Sequence, residues 1–167
     1  MKTTLCKLLF ILSFAFSAGS FAAVNHYQQQ PVYSQVYSAG SNPFEDGRKA
    51  LALAKDTDRR VLIEVGGEWC QFCHRLDRFI QNNEDVAARF YNAFVVLKVN
   101  YSDENKNTKF LSAFSGINGY PHIFITENNG KVLHSTGPAE LSENGKHSRQ
   151  KFFDFIDRWQ LKQKSHE

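Results

Sequence analysis

The chain has 167 residues, with 20 Lys and Arg against 17 Asp and Glu, and its net charge at neutral pH is +3. Because this balance is near neutral and no basic stretch is interleaved with aromatic residues, nucleic acid is not expected as a partner. The length suits one domain with a single hydrophobic core.

The first 22 residues have the pattern of a secretory signal peptide. Lys2 and Lys7 form a basic start, residues 8–16 are an apolar run broken by a serine, and Ala22 ends a small-residue cleavage site. The run is shorter than the roughly 20 residues that span a bilayer, so a retained membrane anchor is the less favoured alternative. We expect cleavage after Ala22 and a periplasmic or secreted protein whose mature chain has no membrane span.

Cleavage changes the charge and the cysteine count. Loss of two lysines leaves 18 basic against 17 acidic residues, a net charge of +1. Loss of Cys6 leaves Cys70 and Cys73, and a disulfide between cysteines so close in sequence constrains little of the unfolded chain. Small secreted proteins that depend on disulfides for stability carry several pairs. The single pair is therefore better explained by chemistry than by stability.

Residues 23–42 are rich in Gln, Ser and Tyr, contain no Asp, Glu, Lys or Arg, and show no helical period. This composition predicts a flexible tether ahead of the folded domain. The alternative is a segment that binds a partner as a strand through Val32, Tyr33, Val36 and Tyr37. The composition favours the tether.

From Pro43 onward, the predicted structure alternates between helices and strands. Asn42-Pro43 is typical of a helix start, short apolar runs are typical of buried strands, and Asn129-Gly130 is typical of a hairpin turn. The predicted elements in chain order are a helix over 43–55, a strand over 61–65, a helix over 70–82, a short helix through Val86 and Phe90, a strand over 93–99, a helix around 110–114 closed by Gly116, strands over 122–126 and 132–135, and a helix carrying 152–159. They predict one α/β domain over 43–162, with a parallel strand pair, an antiparallel hairpin and a short C-terminal tail at 163–167.

The six residues Trp69-Cys70-Gln71-Phe72-Cys73-His74 follow the first strand and fit two kinds of site. As Cys-x-x-Cys they fit a redox dithiol, and as Cys-x-x-Cys-His they fit the attachment site of a c-type haem with His74 as an iron ligand. A helix N-terminus stabilises a thiolate at Cys70. Cys73 lies one turn later, within reach of a disulfide. In a dithiol site, Cys70 attacks a substrate disulfide and Cys73 resolves the mixed disulfide.

With Trp69-Cys70-x-x-Cys73 after a buried strand and Tyr120-Pro121 before a later one, the chain resembles the thioredoxin-like family, nearest to its exported Trp-Cys-x-x-Cys domains. The resemblance covers about residues 44–160. It implies a thioredoxin fold, which is a central mixed four-stranded sheet with flanking helices, and a redox-active disulfide between Cys70 and Cys73. It also implies that Pro121 is the family's cis-proline and shapes the substrate groove.

The family has a buried acid six residues before its first cysteine, which corresponds to Glu64 here, and a lysine that often partners this acid, which corresponds to Lys98. A carboxyl group inside an apolar strand is expected to have a raised pKa, which suits it to take a proton near Cys73 and return it. The alternatives are a surface carboxylate on an edge strand for Glu64 and a solvated strand end for Lys98.

Residues around the motif depart from the commonest pattern of the family. The dipeptide between the cysteines is Gln71-Phe72 rather than Gly-Pro, His74 replaces a lysine, and the bulky Tyr120 precedes the proline. We expect these residues and Trp69 to border the disulfide and to tune thiolate stability and substrate fit. They leave the direction of electron flow open.

Three other functions remain as alternatives. A c-type haem usually takes a methionine as its second ligand, and the only methionine, Met1, lies in the predicted signal peptide. A zinc site would combine both cysteines with His74 and His122, but no second Cys-x-x-Cys or paired histidine supports it. A non-catalytic binding module of the same fold often lacks one active-site cysteine, and both are present here.

The sequence therefore predicts an exported thiol–disulfide oxidoreductase that reduces protein disulfides. In this prediction Cys70 attacks, Cys73 resolves, Glu64 relays a proton and Pro121 shapes the groove. The expected partners are protein disulfide substrates and a redox partner protein, and we expect a monomer without metal or cofactor. An oxidant or an isomerase of the same fold is the alternative, because direction follows the reduction potential and the supply of partners.

Overall fold

The structure is a computed structural model that describes residues 36–162. The predicted signal peptide, residues 23–35 of the predicted tether and the predicted tail at 163–167 lie outside the described residues. Among residues 36–162, no helix has the length and apolar character needed to cross a bilayer.

Within the described part of the chain, helices and strands alternate over most of the length. The helices are α1 (Pro43–Asp56), α2 (Gln71–Gln81), α3 (Glu84–Ala93), α4 (Thr108–Leu111) and α5 (Arg149–Trp159). The strands are β1 (Arg60–Gly66), β2 (Phe94–Asn100), β3 (His122–Thr126), β4 (Val132–Thr136), β5 (Ser142–Glu143) and β6 (Lys146–His147). A 3₁₀ helix at Pro138–Leu141 connects β4 to β5.

The central sheet has four strands in the order β2-β1-β3-β4. Strand β1 pairs in parallel with β2, with Glu64 opposite Lys98, and pairs antiparallel with β3, with Val65 opposite His122. Strand β3 pairs antiparallel with β4. The predicted α/β domain, with its parallel pair and its antiparallel hairpin, is confirmed. Strand β1 is an inner strand, and its residues from Val61 to Gly66 are buried.

The two faces of the sheet carry separate hydrophobic cores. Successive side chains of a strand point to opposite faces. Leu62 of β1 and Val96 of β2 therefore face a core formed with α2, α3 and α5, whereas the odd-numbered residues of both strands face a core formed with α1. Glu64 and Lys98 are in phase with Leu62 and Val96, so they lie on the face that α2 covers.

The helices α1 and α2 both begin after a residue whose side chain caps the helix. Asn42 Oδ1 accepts hydrogen bonds from the backbone N–H groups of Phe44, at 3.1 Å, and Glu45, and Pro43 occupies the first turn of α1. Helix α2 begins directly after Cys70, whose side chain takes the capping position.

Two local features differ from the prediction. Helix α4 has four residues and is shorter than predicted, although Gly116 follows it with φ +83°, in the left-handed region that favours glycine. The connection between β3 and β4 spans residues 127–131, as the predicted strand bounds imply. The 3₁₀ helix and the two-residue strands β5 and β6 were not predicted, because elements this short leave no hydrophobic period in the sequence.

The last residues of the predicted tether belong to the folded domain. Tyr37 is 5% exposed and packs against Cys70 and Cys73. The side chain of Asn105 donates a hydrogen bond of 2.7 Å to the carbonyl oxygen of Ala39. The prediction of a flexible tether is therefore wrong for residues 36–42. Because Tyr37 is buried within its own chain, the alternative of a partner-binding strand is also wrong for this residue.

Candidate active site

Cys70 and Cys73 form a disulfide at the start of α2. Cys70 occupies the N-cap position, and its Sγ accepts a hydrogen bond of 3.1 Å from the backbone N–H of Cys73. Both side chains are buried. Backbone N–H groups and the dipole at a helix start stabilise negative charge, so a thiolate formed at Cys70 on reduction would be stabilised there.

Four aromatic side chains lie near the disulfide and form what we call the aromatic rim: the exposed Trp69 and Phe72 and the half-buried Tyr101 and Tyr120. Trp69 is 55% exposed, and its Nε1 donates a 2.7 Å hydrogen bond to the carbonyl oxygen of Tyr101. Tyr120 meets the Trp69 ring edge-to-face and stacks on the Tyr101 ring, with centroid distances of 5.4 and 5.1 Å. Phe72 is 56% exposed, with the Arg75 guanidinium 4.6 Å from its ring centre. The rim gives the disulfide an apolar, largely pre-ordered border.

The loop before β3 also contacts the disulfide region. The Tyr120–Pro121 peptide bond is cis and leads directly into β3. Pro121 is buried, and the Tyr120 ring packs against the cluster formed by Cys70, Cys73 and Tyr37. The fold thus brings Tyr120 and Pro121 to the active-site motif from a distant part of the sequence.

Glu64 is a buried acid on the α2 face of β1, and 3% of its surface is exposed. Burial raises the pKa of its carboxyl group to about 7, although the charge of Lys98 and a hydrogen bond from Tyr37 oppose this effect. A carboxyl group with a pKa near 7 can both accept and return a proton at neutral pH. The alternative of an exposed carboxylate on an edge strand is wrong, because β1 lies between β2 and β3.

Two glycines allow the end of β1 to pass close to the disulfide. A methyl group on Gly66 would lie 2.6 Å from Cys73 Sγ and 2.8 Å from the Tyr37 hydroxyl oxygen. A methyl group on Gly67 would lie 2.5 Å from Trp69 Nε1. Because neither position has room for a side chain, the strand that carries Glu64 packs directly against the second cysteine.

Comparison with known proteins gives the family. Residues 44–127 match a family model described as thioredoxin-like. The chain belongs to the thioredoxin-like family. The predicted resemblance is thereby confirmed, and the disulfide between Cys70 and Cys73 fits the Trp-Cys-x-x-Cys motif on which it was based.

Two solved structures are similar to this thioredoxin-like protein. One is a disulphide isomerase from Xylella fastidiosa Temecula1, with 27% sequence identity and a TM-score of 0.62 over 73% of this chain and 94% of that one. The other is the C-terminal domain of Neisseria meningitidis DsbD in its oxidised form, with 14% identity and a TM-score of 0.56 over 75% of this chain and 99% of that one. They confirm the predicted thioredoxin fold.

Part of the chain is also similar in sequence to a protein of Caenorhabditis elegans. The uncharacterized protein B0495.5 of Caenorhabditis elegans is 31% identical to this chain over 85 residues. These residues are 48% of this chain and 12% of the C. elegans protein, so the chain spans a small part of that relative's length.

The lysine of the thioredoxin-like site donates its hydrogen bond to a residue that was not predicted. Lys98 Nζ donates a 2.5 Å hydrogen bond to Asp77 Oδ2 of α2, and the Lys98 side chain is 5% exposed. Lys98 lies opposite Glu64 in the sheet, and its charge lowers the pKa of Glu64, so it acts on the acid through charge while its hydrogen bond goes to Asp77. The alternative of a solvated strand end is wrong, because the side chain is buried. Asp77 was not predicted, because only the packing of α2 on β2 brings it to Lys98.

Tyr37 is a second site residue that the sequence analysis missed. Its hydroxyl donates a 2.6 Å hydrogen bond to Glu64 Oε1, across 27 residues of sequence. The available signal was weak, because Tyr37 stands in a polar segment without a helical or strand period. Its place in the site depends on a tertiary contact.

The remaining predicted residues lie at the margin of the site. Gln71 is exposed on the first turn of α2. His74 Nε2 lies 2.7 Å from the carbonyl oxygen of Glu68, and His122 Nε2 lies 2.9 Å from Ser135 Oγ. Burial lowers the pKa of His122, which favours its neutral form.

The described structure supports neither of the two metal-binding alternatives, the zinc site and the c-type haem site. In the chain from residue 36 to residue 162, no group of three or more His, Cys, Asp or Glu side chains is arranged to hold a metal ion. The two histidines proposed as zinc ligands contact different partners instead. A mixed sheet leading into Trp69 also differs from the mostly helical fold expected of a small c-type cytochrome.

Proposed function

We propose that this protein is an exported thiol–disulfide oxidoreductase that reduces protein disulfides. The observation that carries the proposal is the Cys70–Cys73 disulfide, with its first sulfur capping α2 and its second packed against the strand that holds Glu64. The likeness to the disulphide isomerase of X. fastidiosa supports the same class of chemistry.

The proposed reaction starts from the reduced pair. The Cys70 thiolate attacks one sulfur of the substrate disulfide, forms a mixed disulfide and releases the first substrate thiolate. The Cys73 thiol then gives its proton to the Glu64 carboxylate, and the Cys73 thiolate attacks Cys70 Sγ. The Cys70–Cys73 disulfide forms, and the second substrate thiolate leaves and takes the proton from Glu64. Two electrons have passed from the dithiol to the substrate, and a redox partner protein restores the dithiol.

The surface beside Cys70 supports binding of an extended polypeptide. The exposed rings of Trp69 and Phe72 flank the first cysteine and offer apolar contact. A cleft of about 450 Å³ opens beside Trp69 and is lined in part by Glu68 and Tyr101. We propose that the substrate segment carrying the disulfide lies between this cleft and the cis Tyr120–Pro121 bond, which shapes the groove.

Export, oligomeric state and direction are further parts of the proposal. The basic start, apolar run and small-residue cleavage site of the first 22 residues support a periplasmic or secreted location. We propose a monomer that works on separate protein partners. Isomerisation is the second candidate activity, favoured by the likeness to the X. fastidiosa disulphide isomerase. It would use the same attack by Cys70 and would differ in the fate of the mixed disulfide.

The proposed activity predicts that Cys70→Ser abolishes catalysis. With a protein disulfide substrate and excess dithiol reductant, we expect turnover by the wild type and only the uncatalysed rate with Cys70→Ser, because the serine hydroxyl is a far weaker nucleophile than a thiolate. Cys6→Ser, compared in the full chain that retains residues 1–22, is the matched control and should keep full activity. A wild-type rate no higher than the uncatalysed rate would leave the fold as a non-catalytic binding module. Turnover that survives in Cys70→Ser would show that Cys70 is not the attacking group.

A further inference from the structure

Tyr37 is fixed in place by contacts with several parts of the active site. Its backbone N–H donates a 3.1 Å hydrogen bond to Glu68 Oε1, in the segment that leads into Cys70. Its ring is buried against Cys70 and Cys73, and Lys98 Nζ lies 4.9 Å from the ring centre. The ring therefore covers the region between the disulfide and the buried charges below it.

The hydroxyl of Tyr37 contacts the acid and lies near the second cysteine. It donates a 2.6 Å hydrogen bond to Glu64 Oε1, and both groups are buried. A methyl group on Gly66 would contact the Tyr37 hydroxyl and Cys73 Sγ at once. The hydroxyl and this sulfur therefore border the same small space at the end of β1. The hydrogen bond from Tyr37 holds Oε1 and not Oε2, the other oxygen of the Glu64 carboxyl group.

We infer that Tyr37 is a positioning residue for the proton relay: its hydroxyl holds one oxygen of Glu64, and its ring keeps water away from the space between Glu64 and Cys73. The inference deepens the proposed function and rests on it. Residues 36–42 then act as a strap that completes the active site, rather than as a tether outside it.

The two parts of Tyr37 have opposite effects on Glu64. Donation of a hydrogen bond to the carboxylate favours the ionised form and lowers the pKa, whereas burial favours the neutral form and raises it. The other groups that act on this carboxyl are Lys98 on β2 and Asp77 and His74 on α2. Substitution of Tyr37 removes none of these three side chains, and Tyr37→Phe also keeps the ring that Lys98 contacts.

Two substitutions of Tyr37 are expected to shift the pKa of Glu64 in opposite directions. Tyr37→Phe removes the hydroxyl and keeps the ring, so the pKa of Glu64 should rise by about one unit, the size expected for a lost hydrogen bond to a charged group. Tyr37→Ala removes the ring as well and admits water, so the pKa should fall toward its ordinary value of 4.5. Tyr91→Phe, which removes the hydroxyl of a half-buried tyrosine, is the matched control and should leave the titration unchanged.

The direct test is a pH titration of the full chain, ¹³C-labelled at its glutamate carboxyl carbons, followed by NMR in the oxidised form. In this form Cys70 and Cys73 do not titrate, and Glu64→Gln assigns the Glu64 signal. Opposite shifts in Tyr37→Phe and Tyr37→Ala support the inference. A Glu64 signal that titrates as in the wild type in Tyr37→Phe, or that shifts in the same direction in both variants, overturns it.

The pH profile of disulfide reduction links the titration to the relay. In Tyr37→Phe the acid limb should move to higher pH by the same amount as the Glu64 pKa, and in a Glu64→Gln background Tyr37→Phe should have no further effect on that limb. An equal shift in both backgrounds overturns the inference. The two proposals fail differently: turnover retained in Cys70→Ser removes the proposed function, whereas an unresponsive Glu64 titration removes only the role of Tyr37.

Discussion

Cys73→Ala, in a chain that also carries Cys6→Ser, is expected to accumulate mixed disulfides with its protein substrates. Cys70 is then the only remaining thiol, and it attacks the substrate but finds no resolving cysteine. Cys70→Ala in the same background should accumulate none. The products are separated by electrophoresis without reductant, after free thiols have been alkylated, and they should disappear on reduction.

The structure gives the reason for this asymmetry. Cys70 Sγ is the acceptor at the N-cap of α2, where the thiolate is stabilised, and the exposed side chains of Trp69 and Phe72 flank this cysteine. Cys73 is 0% exposed and packs against Gly66 and Tyr37. Mixed disulfides that form with Cys70→Ala and not with Cys73→Ala would show that the two cysteines have the reverse roles.

The wild type is expected to lose stability as pH rises through the pKa of Glu64, and Glu64→Gln is expected to abolish this pH dependence. The folded pKa of about 7 lies above the ordinary value of 4.5, so the folded state holds a proton that the unfolded chain has released between these pH values. The stabilisation is therefore fully present below pH 4.5 and is lost as pH rises through about 7. The difference in pKa corresponds to about 3 kcal/mol in the free energy of unfolding.

Denaturant unfolding of the oxidised protein between pH 4 and pH 8 measures this effect. Relative to the wild type, the Glu64→Gln protein should gain stability steadily between pH 4.5 and about 7 and keep a constant advantage above that range. Glu143→Gln is the control, because Glu143 is an exposed carboxylate on β5. Parallel stability curves for the wild type and Glu64→Gln would show that the carboxyl group has an ordinary pKa in the folded state.

Much of the framework was predictable, because local patterns in the sequence determine it. The apolar runs of β1 and β2 predicted buried strands, the spacing of Cys70 and Cys73 predicted two sulfurs on one turn of a helix, and the family pattern pointed to Glu64 and Pro121. In each case the relevant residues are close in sequence or match a known motif. The order of these elements predicted an α/β domain, and the family resemblance predicted the thioredoxin fold.

The contacts that complete the site were not predictable in the same way. The bond from Tyr37 to Glu64 joins a segment without periodicity to an inner strand, and the bond from Lys98 to Asp77 joins a strand to a helix that crosses it. Neither contact has a local sequence signature, since each depends on how two distant elements pack. The sequence identified which acid is buried, and the structure was needed to identify the residues that control it.

The reduction potential of the Cys70–Cys73 pair is the measurement that tests the proposed direction of electron flow most directly. It is obtained by equilibrating the protein with glutathione or dithiothreitol redox buffers and measuring the fraction oxidised. For an enzyme that reduces protein disulfides we expect a value close to that of thioredoxin, about −270 mV. A value close to that of a strong disulfide oxidant, about −120 mV, would contradict the proposal that this protein is a reductase.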